Sequence, residues 1–278
     1  MNNHKLISID LAKNVFQICI LDDHNNIISN KKVTRKKLIE TVMQSTAKRI
    51  VMESCYSSNY WGREFIKLGY QVDLIPPRLV KPFLNGNKTD HNDALAIVEA
   101  SMRPKIKFVP VKTIEQQDGQ CLYKIRDRLI KQRTALTNQI RGLMSEYGII
   151  FETTVIKLRN KIPYILEDAD NKLTVVARIF LNELYEDLIY FDKRIKSIEK
   201  QSRGLMKNND EYNRLLSIPG IGEITASLLL TVISHPEHFK SARQFSAYLG
   251  LTPKQHSSGD TFKILGISKR SNSTLRKN

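Results

Sequence analysis

Short apolar runs separated by polar turns open the chain. Lys5–Leu11, Val15–Leu21 and Ile27–Val33 have the length and β-branched content of strands. Ala12-Lys13-Asn14 and Asp22-Asp23-His24-Asn25-Asn26 supply the turns between them. Leu38 and Val42, four apart, predict an amphipathic helix, and Arg49–Glu53 a fourth strand. A helix around Trp61–Leu68, closed by Gly69, leads to a fifth strand, Gln71–Ile75, which Pro76-Pro77 stops. Ala94, Ile97 and Val98 then recur at helical spacing behind Asp90.

From about Gly119 the period lengthens. Leu122, Ile125, Leu129, Leu136, Ile140, Leu143 and Tyr147 alternate three- and four-residue steps, with an interruption near Gln132. Leu173, Ala177, Phe180, Leu184, Phe191, Ile195 and Ile198 repeat the pattern. Two long helices with a narrow apolar seam predict a coiled-coil hairpin or a dimerisation arm, turning around Lys161-Ile162-Pro163. Beyond it, Pro219-Gly220-Ile221-Gly222 opens a strongly apolar helix, Ala226–Ile233. Three meandering strands followed by alternating helix and strand is the order of a ribonuclease-H-like sheet, in which the first and fourth strands are neighbours. The expected division is 1–110 for this α/β domain, 111–205 for the helical arm and 206–278 for a mainly α C-terminal domain.

That order gives the acids their meaning. Asp10 and Glu53 each end a strand-type run, and as neighbours the two strands would bring them side by side. Asp90 and Asp93, three apart, share one helix face within Asn87-Lys88-Thr89-Asp90-His91-Asn92-Asp93-Ala94. Four converging carboxylates repel one another unless a divalent cation neutralises them, and hard oxygen ligands suit Mg2+ or Mn2+. Against this stand two plainer roles: a solvated surface carboxylate for any of them, and the helix N-cap for Asp90. Asp22 and Asp23 lie in a hairpin turn and are left out of the site.

Composition adds a partner. A formal net charge of +16 over 278 residues points to a polyanion. Basic residues outnumber acidic ones in residues 1–109, 110–205 and 206–278 alike, so the excess is a distributed track rather than a basic tail. Arg126, Arg128 and Lys131, with Lys124, Arg133 and Arg141, crowd the first long helix, either as a solvated face or as a nucleic-acid grip. Gly220 and Gly222 sit in a turn that exposes backbone N–H groups to a phosphate, like a helix-hairpin-helix motif, or that simply lets two helices pack closely. Cys19, Cys55 and Cys121 are odd in number and lack metal-ligand spacing, which suits a reducing interior. No apolar run is long enough for a bilayer and Asp10 interrupts any leader-like start, so a cytoplasmic protein with no membrane partner is expected.

Taken jointly, these segments carry a resemblance. Asp10, Glu53, the Asn-Lys-Thr-Asp-x-x-Asp-Ala block, Pro-Gly-Ile-Gly and Tyr248-Leu249-Gly250-Leu251-x-Pro253-x-Gln255-x-Ser257-Ser258-Gly259 occur in the order found in DEDD-type insertion-sequence transposases. That group includes the Piv and MooV invertases and the bridge-RNA-guided recombinases, and the resemblance runs from about residue 5 to the end. It implies a RuvC-like domain with Asp10, Glu53, Asp90 and Asp93 as catalytic metal ligands, and a C-terminal domain carrying a serine nucleophile. The serine before glycine falls on Ser258, with Ser257 the adjacent candidate and His256 a contact to phosphate or an ordinary surface residue. The implied partners are DNA, a guide (bridge) RNA and further copies of the chain, as a dimer or tetramer. Lys269 and Arg270, after the serine block, would contact nucleic acid.

The resemblance has departures. Asp260 stands where a second glycine is common, and Ser271 where glycine usually follows the Lys-Arg pair. The family pattern continues past Leu-Arg into another apolar helix, whereas Leu275-Arg276 is followed by Lys277-Asn278. The expectation is an uncovered apolar side at Ile264, Leu265 and Ile267, a loosely held serine loop, and a chain that binds metal and nucleic acid yet recombines weakly or not at all, either as a truncated copy or as one that depends on a partner protomer. The rival functions are a RuvC-like nuclease that hydrolyses junction DNA with no serine step, and a non-catalytic nucleic-acid-binding regulator.

Overall fold

The computed structural model describes residues 4–233, 236, 239–259, 261–268 and 275. The chain divides into two compact units, Met1–Ile114 and Glu115–Asn278. Residues 115–205 and 206–278 thus belong to one unit.

The first unit is built on β1 (His4–Asp10), β2 (Val15–Asp22), β3 (Ile27–Thr34), β4 (Arg49–Glu53) and β5 (Gln71–Ile75). They form one mixed sheet in the order β3-β2-β1-β4-β5. The hairpin-linked β1, β2 and β3 pair antiparallel, and β1, β4 and β5 pair parallel. The first and fourth strands are therefore neighbours, as the element order implies. Five strands fall within a residue or so of the runs read from the sequence. Helices α1 (Leu38–Met43), α2 (Ser58–Lys67), α3 (Pro77–Val80) and α4 (Asp90–Ser101) complete the unit.

Alternation along the strands separates two cores. Ile7, Ile9, Phe16, Ile18, Ile50 and Met52 point to one face, where Leu38 and Val42 of α1 and Trp61 and Phe65 of α2 cover them. Leu6, Cys19, Leu21 and Val51 point to the other, against Ala94, Ile97 and Val98 of α4. Each such aliphatic or aromatic side chain withdrawn from water contributes about 1.5–3 kcal/mol, so both faces hold the sheet firmly. On the α4 side Ser8 is buried, and its hydroxyl donates to the Ala94 carbonyl at 2.9 Å. This bond ties β1 to α4 two residues from Asp10.

The second unit begins with three helices, α5 (Ile114–Ser145), α6 (Val155–Glu167) and α7 (Val175–Met206). Helices α5 and α7 run antiparallel. The Tyr123 and Ser202 hydroxyls share a 2.8 Å hydrogen bond, Arg126 donates to Glu199 at 2.8 Å, and Arg133 donates to Asp192 at 2.7 Å. Each pairing advances along α5 as it retreats along α7. Helix α5 continues unbroken through Gln132.

The turn expected at Lys161-Ile162-Pro163 is not one: the three residues lie inside α6. Thr154 caps that helix, and Leu158, Ile162 and Ile165 are buried with Leu136, Ile140 and Met144 of α5 and Leu181 and Leu188 of α7. Burying that stripe outweighs the roughly 3 kcal/mol that a proline inside a helix costs. The end of the arm is therefore a three-helix core, and Arg159 of α6 joins Arg133 on Asp192 at 2.7 Å.

The chain continues through α8 (Asp210–Leu216), α9 (Glu223–Val232) and α10 (Ala242–Leu249). It then forms β6 (Pro253–Ser258) and β7 (Thr261–Ile267), which pair as a two-stranded hairpin. Composition alone reads this stretch as a surface loop. The hairpin is exposed along its whole length, and Phe262, Ile264, Leu265 and Ile267 are all open to solvent. Among the described residues no helix is long and apolar enough to cross a membrane.

Candidate active site

The sheet register decides where the first two acids stand. Ile9 pairs with Met52 across the parallel β1–β4 ladder, so Asp10 and Glu53 are the last residues of adjacent strands. Asp10 also lies opposite Gln17 of β2, which in turn lies opposite Lys32 of β3. Cross-strand partners project to the same face, here the one covered by α4.

Helix α4 brings the second pair. Its N-cap is Thr89, whose hydroxyl accepts from the Asn92 amide at 3.2 Å, so Asp90 is the first helical residue and not the cap. The Asn92 side chain donates to the Asn87 carbonyl at 2.8 Å and fixes the loop before the helix. Asn30 of β3 donates to the His91 carbonyl at 3.2 Å, holding this first turn against the sheet. Gln17, buried, donates to Asn30 at 2.5 Å and extends the tie back to the strand beside Asp10.

The four carboxylates feel one another. Burial, then the charges of Asp93, Glu53 and Asp90, push the Asp10 carboxyl up to about 6 from an ordinary 3.8. Burial and Asp93 raise Glu53 as well, partly offset by Lys88. The Cys55 thiol, just after β4, is driven up to about 11 by burial and by Glu53 and Asp10. Asp90 has a cationic neighbour: Lys32 Nζ lies 3.1 Å from its Oδ2, with 67% and 58% of the two side chains exposed.

Whether these residues suit a divalent cation is tested by one orphaned atom. Asp93 Oδ1 is buried and has no hydrogen-bond partner among the described residues, a costly state for a charged acceptor unless a cation completes it. The four acids supply oxygen donors only, the set that Mg2+ and Mn2+ prefer. As the side chains stand, no group of three or more His, Cys, Asp or Glu among the described residues is drawn tight enough to cage an ion.

The other sequence candidates belong to the second unit. Ser257 and Ser258 end β6, opposite Phe262 and Thr261 respectively. Gly259 follows with φ +54°, the left-handed backbone that glycine adopts without strain. Gln255 donates to the Ser257 hydroxyl at 2.8 Å, and His256 is exposed between them. Gly220 turns the chain between α8 and α9 with φ +88°, and Gly222 is the N-cap of α9, with no side-chain cap. On α5, Arg126 is bound to Glu199, Lys131 pairs with Asp127 at 2.8 Å, and Arg128 is exposed. Lys269, Arg270, Asp260 and Ser271 lie outside the described residues.

Two residues of the acidic centre escaped the sequence reading, Thr89 and Lys32. A hydroxyl one position before a helix-starting Asp was a readable cap signal. Nothing local marks Lys32, because its partner is distant in sequence and only the sheet register unites them.

Comparison with known proteins identifies the family. Residues 7–149 match the sequence profile of the DEDD IS110 transposases, and residues 212–278 match that of the transposase IS116/IS110/IS902 family. The chain is 42% identical over 276 residues to the transposase for insertion sequence element IS1111A of Coxiella burnetii, covering 99% of this chain and 76% of that one. It is 36% identical over 279 residues to the transposase for insertion sequence element IS1328 of Yersinia enterocolitica, covering 100% and 82%. A pilin gene-inverting protein of Moraxella lacunata is 22% identical over 277 residues, covering 91% and 73%.

Proposed function

Since the chain belongs to the IS116/IS110/IS902 family of transposases, enzymes that move and rejoin DNA, we propose that its strand chemistry is run by the acidic centre of the first unit, read as a RuvC-like, ribonuclease-H-like domain. Asp10, Glu53, Asp90 and Asp93 would hold Mg2+ or Mn2+, and the observation that carries this is the buried, partnerless Asp93 Oδ1 beside three further carboxylates. When bound, such a cation stabilises charge on a scissile phosphate and activates a hydroxyl nucleophile. The protein's own share is positional. Thr89, Asn92 and Asn30 fix the first turn of α4, so that Asp93 meets the strand ends at one place.

The nucleophile in this reading is Ser258, on the hairpin of the second unit. A free serine hydroxyl is a weak nucleophile and needs activation, which the acidic centre supplies if the two units meet within one chain or between copies. The glycine after it lets a DNA phosphate approach closely. Attack by Oγ on a phosphodiester forms a serine–phosphate bond and releases a strand end bearing the leaving oxygen. Arg128, Lys131 and Arg126 on the arm, read as a coiled coil, the helix-hairpin-helix-like turn at Gly220 and Gly222, and Lys269 and Arg270 would grip the backbones of DNA and of a structured guide RNA. A dimer or tetramer brings two DNA sites together. The arm of 111–205, which enters the second unit at Glu115, and the C-terminal part of 206–278 act as separate functional parts.

The test is cleavage of a family-type junction DNA with Mn2+ or Mg2+ present. Asp10→Asn and Asp93→Asn should each lower it by several orders of magnitude, with an unchanged circular-dichroism spectrum. Cleavage retained by either variant removes the metal-site assignment.

A further inference from the structure

Lys32 stands on β3, the outer strand of the sheet, in a run of cations that continues through Arg35, Lys36 and Lys37. Its Nζ is 3.1 Å from Asp90 Oδ2, and both side chains are largely in water. The ion pair does not hold the helix in place. The first turn of α4 is fixed independently, by the Asn30 bond to the His91 carbonyl, by the Thr89 cap and, deeper, by the Ser8 bond to the Ala94 carbonyl. Asp90 is thus neutralised by a flexible cation whose removal would leave the backbone where it is.

The register explains why this lysine reaches the centre. Asp10, Gln17 and Lys32 form one cross-strand row on the α4 face. Lys31, opposite Ile18, projects to the other face, toward the α1–α2 core side. The two adjacent lysines are therefore chemically alike but placed on opposite sides of the sheet.

We propose that Lys32 is an exchangeable counter-ion of the acidic centre. It neutralises Asp90 when the carboxylates hold no cation, and it moves to a phosphate of the bound DNA strand when a divalent cation takes over that task. The proposal rests on the metal-binding reading of Asp10, Glu53, Asp90 and Asp93. One ammonium cannot serve both anions fully, so binding of cation and DNA is coupled through it. A cation on Asp90 releases Lys32 for phosphate, and phosphate on Lys32 clears Asp90 for the cation.

The experiment compares the full chain with Lys32→Met and Lys31→Met. Mn2+ binding is measured calorimetrically without nucleic acid, and binding of a single-stranded DNA oligonucleotide is measured with and without Mn2+ over a salt series. Lys32→Met should bind Mn2+ roughly two- to fivefold more tightly, the factor that an exposed ion pair commands. Its DNA affinity should gain less from Mn2+ than the unsubstituted chain gains, and its salt slope in Mn2+ should be shallower by about 0.7, one phosphate contact on a single strand. Lys31→Met should keep the unsubstituted Mn2+ affinity and the coupling. Equal effects of the two variants would reduce Lys32 to general surface charge and overturn the proposal. Weaker Mn2+ binding by Lys32→Met would also overturn it, making Lys32 a positioning residue for Asp90. No Mn2+ binding by the unsubstituted chain would overturn the acidic-centre reading itself, and the counter-ion role with it.

Discussion

Asp10 is the described carboxyl that burial and neighbouring charge raise most. Its carboxyl, raised to about 6, keeps a proton in the folded chain at pH values where an unfolded chain, near 3.8, has lost it. Its ionisation therefore opposes folding. The penalty is absent below about 3.8, grows as pH rises, and is complete above about 6. In metal-free buffer, thermal unfolding of Asp10→Asn should gain on the unsubstituted chain between about pH 4.5 and 7. A difference in midpoint that stays constant across this range would mean that Asp10 is not under such pressure. At the serines the prediction is chemical. Ser258→Ala should abolish any covalent protein–DNA adduct, read as a labelled band on a denaturing gel, and Ser257→Ala should leave it. The reverse pattern would shift the role by one residue, and cleavage with no adduct in the unsubstituted chain would favour plain hydrolysis.

Among elements, α5 and α9 approach closely at Gly119. A Cβ built on Gly119 would lie 2.8 Å from Thr231 Oγ1, and that hydroxyl is itself buried and donates to the Ser227 carbonyl at 2.8 Å. Alanine suits a helix better than glycine by about 1 kcal/mol, but forcing this contact costs about 1–3 kcal/mol. Gly119→Ala should therefore destabilise the chain slightly, by about 1 kcal/mol in urea unfolding; a stabilised variant would show that α9 yields easily. Elements of this kind differ in how far the sequence reveals them. The five strands were legible because each is a short run bounded by turn residues, Asp10 and Glu53 because each ends such a run, and Asp90 and Asp93 because they stand three apart at the head of a helical run. The hairpin of β6 and β7 was not, since Pro253–Ser258 is polar throughout and borrows its strand character from the partner across the turn. Helix α6 was misread as a turn because a proline signal outweighed a buried stripe that only two neighbouring helices make meaningful. Arg126 looked like a free cation because Glu199, which binds it, lies 73 residues further on.

For the whole molecule, charge sets the behaviour. A net charge of +16 spread over both units implies many simultaneous phosphate contacts, each releasing a counterion. Affinity for DNA should fall steeply with salt, by about three or more orders of magnitude between low and physiological ionic strength. A nearly flat response in a filter-binding series would contradict a distributed track. On the arm, the cations to neutralise are Arg128 and Lys131, because Arg126 is part of the α5–α7 pairing and its removal would unsettle both helices. Replacing the two by glutamine should make the salt slope shallower if that face grips a backbone. An unchanged slope would leave the arm its structural role alone.

The exposed hairpin of β6 and β7 carries one more consequence. Two strands with neither face covered by described residues are marginal in water, and the tip that bears Ser257 and Ser258 inherits that weakness. On the serine reading, the free energy to hold the hydroxyl in line comes from whatever assembles around the hairpin, and a lone chain that meets chance DNA has no aligned nucleophile. On that same reading, a weak tip of this kind would work as an interlock, withholding the strand break until the joining complex has assembled around it.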